Sequence, residues 1–80
     1  MNNIKFAERL KQLREDADLT QTDLAKAVNV TQRNISFYEK GVNEPSLDTL
    51  INLAKYFKVT TDYLLGINDI NVQPRNSKGK

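Results

Sequence analysis

The chain has 80 residues and a formal net charge of +2, with no cysteine and no histidine. That length holds one small domain that must rest on its apolar core, with neither a disulfide framework nor a thiolate metal site. The usual general base and metal ligand is missing, and Ser36, Ser46 and Ser77 have no histidine or cysteine partner, so neither enzymatic function nor a cofactor or metal is expected.

The pattern is helical throughout, with no alternation long enough for a strand, which predicts an all-α fold of five short helices. Phe6, Leu10, Leu13 and Ala17 share one face of a helix over Ile4–Ala17, with Glu8, Lys11, Gln12 and Glu15 on the other side. Asp18 and Leu19 end it. Thr20 is an N-cap with Asp23 three residues on, a capping-box arrangement that opens a second helix over Gln21–Val28. Asn29 follows as a left-handed residue. Thr31 caps a third helix over Gln32–Lys40, closed by Gly41.

Val42–Pro45 form a loop, and Ser46 caps a fourth helix with an apolar stripe of Leu47, Leu50, Ile51, Ala54 and Phe57. Thr60 or Thr61 caps a final short helix holding Tyr63, Leu64 and Leu65, stopped by Gly66. These elements make one domain over residues 1–67. Residues 68–80 are polar, carry Pro74 and Gly79 and lack periodicity, so a disordered tail is expected, with Ile67, Ile70 and Val72 able to pack on the body or on a partner.

Charge is placed unevenly. The tail carries Arg75, Lys78 and Lys80 against Asp69, which leaves residues 1–67 with nine basic and nine acidic side chains. Attraction for a polyanion must therefore come from where the basic groups sit. No apolar run approaches the roughly 18 residues of a membrane span, and Met1–Arg9 lacks the apolar core of a signal peptide, so a cytoplasmic protein with no membrane partner is expected.

The most informative stretch is Thr20–Lys40. Leu24, Ala25, Val28, Val30, Ile35 and Tyr38 can all point inward, leaving Gln32, Arg33, Asn34, Ser36 and Phe37 outside. Amides, a guanidinium and an apolar ring are groups that read base edges. A second helix that buries only its anchors and offers such a face is what a DNA-reading helix-turn-helix requires.

Over Phe6–Gly66 the chain resembles the lambda-repressor-like (Cro/Xre-type) helix-turn-helix family. The likeness rests on Leu19-Thr20-Gln21, Leu24-Ala25, the anchors Ile35 and Tyr38, Tyr38-Glu39-Lys40-Gly41, Pro45-Ser46-Leu47 through Leu50, and Val59 through Leu64-Leu65-Gly66. Asn29 departs from the family's usual glycine, at modest energetic cost. The resemblance implies a compact five-helix DNA-binding domain whose helix-turn-helix is formed by the second and third helices.

It also places Gln32, Arg33, Ser36 and Phe37 in the major groove. Gln32 can make two hydrogen bonds to adenine and Arg33 two to guanine, while an exposed Phe37 suits thymine methyl groups. Gln21, Thr31, Asn34, Lys40 and Asn43 become phosphate candidates, Asn34 also a base candidate, and Arg9 a weaker one for phosphate. Lys40 can equally serve its own helix dipole. Similar proteins join the positions of Arg14 and Glu39 in a partly buried ion pair.

The function implied is a sequence-specific double-stranded-DNA-binding transcriptional regulator. A repressor is favoured over an activator, because occupying an operator needs no activating surface. Such proteins bind as two-fold homodimers with reading helices about 34 Å apart. The dimer surface is expected at Tyr56, Lys58, the closing helix and Ile67 or Ile70. The alternatives are a protein-interaction module anchored by Phe37 and Tyr56, and an antitoxin that combines both activities.

Overall fold

A computed structural model describes residues 4–67. Its helices are α1 (Ile4–Asp16), α2 (Gln21–Ala27), α3 (Gln32–Lys40), α4 (Leu47–Phe57) and α5 (Thr61–Leu65). Four of them start on a hydroxyl. Thr20, Thr31, Ser46 and Thr60 accept hydrogen bonds from the backbone N–H groups of Asp23, Asn34, Thr49 and Tyr63. Each satisfies an amide that no carbonyl of its own helix can reach, worth about 1 kcal/mol. At Thr20 the capping box is complete, since the Asp23 carboxylate accepts the Thr20 N–H at 3.1 Å. The backbone and hydroxyl bonds from Thr20 hold the Asp23 carboxyl below its ordinary pKa.

The helix ends use left-handed residues. Asn29, Gly41, Lys58 and Gly66 have φ of 61°, 73°, 58° and 81°. Asn29 and the glycines adopt this conformation readily, but Lys58 has no such excuse. Gly66 is constrained twice over: a Cβ there would lie 2.5 Å from the Lys5 Cβ. The exit of α5 is thereby seated directly on the first turn of α1.

α3 packs against both α1 and α2, while α5 packs against α1 and α4. One core joins Phe6 and Leu10 of α1, Leu24 and Ala25 of α2, Ile35 and Tyr38 of α3, Leu50, Leu53 and Ala54 of α4, Leu64 of α5, and Val28 and Val59 at the ends of α2 and α4. Phe6 and Tyr38 meet edge to face at 6.3 Å between ring centroids. Burial pushes the Tyr38 phenol above its ordinary pKa.

Several details differ from the expectation. α1 ends at Asp16 and Ala17 is exposed, because the chain turns through Asp18 at φ 58° and Arg14 donates to the Leu19 carbonyl at 2.8 Å. α2 stops at Ala27, with Val28 as its C-cap. Thr60, not Thr61, caps α5. The inward face of α4 is rotated from the expected stripe. Leu53 is fully buried beside Leu50 and Ala54, whereas Leu47 and Ile51 are 77% and 43% exposed. Ile70, Val72 and the expected disordered tail lie outside the described residues. Among the described residues no helix is long and apolar enough to cross a membrane.

Candidate nucleic-acid interface

The Thr31 cap puts Gln32 and Arg33 in the first turn of α3. At about 100° per residue, Gln32, Arg33, Ser36, Phe37 and Lys40 share one side of this helix. Ile35 and Tyr38 take the other side and are buried. α2 packs across α3 and brings Gln21 to the same edge. Gln32, Arg33, Thr31, Lys40 and Asn43 are exposed, whereas Gln21, Asn34 and Ser36 are half-buried.

Phe37 is the correction on this face. Its ring is half-buried rather than exposed, and the Arg33 guanidinium lies 5.9 Å from its centroid. The spacing of one helical turn brings the two side chains together, and the ring face attracts the cation. Phe37 thus supports Arg33 and presents a partial apolar surface beside it.

Arg14 and Glu39 form a two-pronged ion pair: Arg14 Nε donates to Glu39 Oε2 at 2.6 Å and Nη2 to Oε1 at 3.1 Å. Their side chains are only 13% and 4% exposed. The hydrogen bond to Glu39 raises the Arg14 pKa above its ordinary value. With its third prong on the Leu19 carbonyl, Arg14 ties α1, the turn before α2, and α3 together.

This pair continues outward. Gln21 Nε2 donates to Glu39 Oε1 at 3.1 Å, and Gln21 Oε1 accepts from Gln32 Nε2 at 2.6 Å. A hydrogen-bonded chain therefore runs from a nearly dry ion pair to the exposed start of α3. Sequence reasoning paired Arg14 with Glu39 but did not connect Glu39 to Gln21 or Gln21 to Gln32, links between residues 18 and 11 apart.

The other candidates are placed as follows. Thr31 Oγ1 accepts from the Asn34 N–H at 3.0 Å, which leaves its own O–H free to donate. Lys40 ends α3, beside the Gly41 turn, and Asn43 follows in the loop. Arg9 is held against α5: Nη1 donates to the Tyr63 carbonyl at 2.6 Å and the guanidinium lies 4.2 Å from the Tyr63 ring centroid. It ties α1 to α5. Of the dimer candidates, Tyr56 and Ile67 are 44% and 71% exposed, while Lys58 provides the left-handed end of α4.

The local charge differs from the zero balance of residues 1–67. Between Thr20 and Asn43 the basic residues are Lys26, Arg33 and Lys40, and the acidic ones Asp23 and Glu39. Glu39 is taken up by Arg14, so the surface around α3 is net basic. Among the described residues no cluster of histidine, cysteine or carboxylate side chains could hold a metal ion.

Residues 10–64 match the family described as Helix-turn-helix. The HTH-type transcriptional regulator ImmR of Bacillus subtilis (strain 168) is 37% identical over 68 residues, covering 85% of this chain and 54% of its own length. The P22 c2 repressor, solved in complex with a synthetic operator, superposes with a TM-score of 0.75 at 32% identity, over 79% of this chain and 96% of that one. Hydroxypropylphosphonic acid epoxidase from S. wedmorenis also contains the fold, with a TM-score of 0.70 and 26% identity over 79% of this chain but 34% of that one. The chain spans about half the length of the curated relatives it matches. It belongs to the lambda-repressor-like (Cro/Xre-type) helix-turn-helix family, with α2 and α3 as the helix-turn-helix.

Proposed function

We propose that this chain is a sequence-specific double-stranded-DNA-binding transcriptional regulator that acts in the cytoplasm and represses by occupying an operator as a homodimer. The observation that carries this reading is the outer face of α3. There Gln32, Arg33, Ser36 and Phe37 share one side of a helix whose other side is buried. Gln32 reads adenine and Arg33 reads guanine, each bidentate contact discriminating by about 1–3 kcal/mol. Phe37, beneath Arg33, meets a neighbouring thymine methyl, so the pair suits a thymine–guanine step.

Gln21, Thr31, Asn34, Lys40 and Asn43 surround this face and take the phosphates on either side of the groove. Such contacts set register without reading sequence. The homodimer forms through the C-terminal part, where Tyr56 and Ile67 remain uncovered. Operator-bound P22 c2 repressor supports the DNA partner by likeness of fold.

Selection of bound sites from a random duplex pool tests the reading. The expected result is a two-fold site with half-sites about one helical turn apart. Affinity should fall steeply as salt is raised, through counterion release. The second reading is a protein-interaction module anchored by Phe37 and Tyr56, of which Tyr56 is 44% exposed. Absence of any duplex binding at low salt would favour that module and end the DNA reading.

A further inference from the structure

We infer that Glu39 is a positioning residue for base recognition: by fixing the polarity of two side-chain amides in series, it decides which atoms of Gln32 a base meets. The inference rests on the DNA-reading role proposed for α3 and goes beyond it, because Glu39 itself is nearly buried and touches no base.

An ionised carboxylate only accepts hydrogen bonds. Glu39 is held rigidly, gripped by two prongs of Arg14, whose third prong is fixed on the Leu19 carbonyl. Its side chain is 4% exposed, so water has little access to substitute for a partner. Whatever Gln21 presents to Glu39 Oε1 must therefore be the NH2 group, as the 3.1 Å contact from Nε2 has it.

That choice propagates. With its nitrogen turned to Glu39, Gln21 turns its oxygen to Gln32, and an amide oxygen only accepts. Gln32 answers with one N–H of its own amide, at 2.6 Å. It keeps its other N–H and its Oε1 for a ligand. A donor beside an acceptor is the complement of the adenine edge, which offers N7 and an N6–H.

Reversing the chain gives a different reader. An amide's two ends are nearly equal in size, so steric fit alone does not select either orientation of Gln21. If Gln21 pointed its nitrogen at Gln32, Gln32 would accept with one lone pair of its oxygen and keep both N–H donors, so that guanine would be matched as well as adenine. Two donors complement the O6 and N7 acceptors of guanine. Glu39 thus sets adenine over guanine at the base pair facing Gln32, from two hydrogen bonds away.

The test uses the full chain and the operator it selects, with all four base pairs placed in turn opposite Gln32. The wild type is expected to prefer adenine there. Glu39→Gln, which offers Gln21 either a donor or an acceptor, should lower the adenine-to-guanine affinity ratio about tenfold while leaving preferences at other positions unchanged. Gln21→Met, which keeps both Arg14–Glu39 bonds, should lower the same ratio on top of a uniform loss from its phosphate contact, so the test survives if Glu39→Gln does not fold. In a Gln32→Ala background neither substitution should change the ratio further, as expected for residues acting through one path.

An unchanged ratio in both variants, with affinity lowered equally for every sequence, would mean that Glu39 is only structural and would overturn the inference. So would a wild-type preference for another base at that position. Enrichment of no site at all by the wild type would instead end the DNA reading itself, a failure visible before any variant is made.

Discussion

The two halves of the helical array treat their apolar side chains differently. From Thr20 to Gly41, spanning α2 and α3, no large apolar side chain is exposed, and the outer surface is polar and cross-linked by hydrogen bonds. From Leu47 to Ile67, spanning α4 and α5, four are exposed: Leu47, Ile51, Tyr56 and Ile67. Bare apolar surface is ordinary when scattered, but in so small a domain this asymmetry divides the work. The first half presents a polar outer face, the one proposed to read base edges. The second half leaves Leu47, Ile51, Tyr56 and Ile67 uncovered, on the side to which the proposed homodimer is assigned.

The largest test of this contrast concerns the rotation of α4. Leu53→Ala should cost about 2–5 kcal/mol in urea unfolding, because Leu53 is fully buried. Leu47→Ala should stay within about 0.5 kcal/mol, as for most exposed positions. Equal losses would mean that α4 does not turn Leu47 outward, and the contrast would collapse.

Next comes the polar half. Arg14→Ala should cost about 3 kcal/mol, since it strands the Glu39 carboxylate in a nearly dry site. Replacing both partners with apolar residues should cost less than this single change. A double variant as unstable as Arg14→Ala would show that the pair stabilises the fold outright.

The Thr20 cap is smaller. Thr20→Ala should cost about 1 kcal/mol. Asp23→Ala adds a pH signature. The carboxyl's pKa is lowered in the fold by its bonds from Thr20, so its contribution is present above the unfolded value and lost as pH falls through the folded one. The stability gap between wild type and Asp23→Ala should therefore be full at neutral pH and close below about pH 4. The smallest effect lies in the second half: Lys58→Gly relieves a left-handed lysine and should gain at most about 1 kcal/mol, read as a rise in the urea midpoint.

What was legible in the sequence follows the range of the interactions. Helix starts were readable because Thr20, Thr31 and Ser46 act on amides three residues away, inside the window that a sequence pattern covers. Asn29, Gly41 and Gly66 marked stops through their own backbone preferences. Lys58 did the same job with no chemical signature. The face of α4 was ambiguous because Leu47, Leu50, Ile51, Leu53 and Ala54 fill two overlapping stripes, and only packing against the rest of the core selects one. Ala17 fitted the apolar period of α1, but the turn at Asp18 ended that helix first. Arg9 and Tyr63, 54 residues apart, could be matched only by the fold. The Arg14–Glu39 pair was readable through the resemblance, whereas its extension through Gln21 to Gln32 depended on how closely α2 and α3 approach.

The seat of Gly66 on Lys5 has an architectural consequence. Lys5 and Arg14 lie nine residues apart on one helix, about 14 Å along its axis at 1.5 Å per residue. α1 therefore works as a rigid strut with the chain's exit bolted to one end and the Arg14–Glu39 anchor at the other. A fluorophore, tether or fused domain attached just beyond α5 starts a fixed distance from the recognition chemistry, held there by a contact that leaves no room for a side chain.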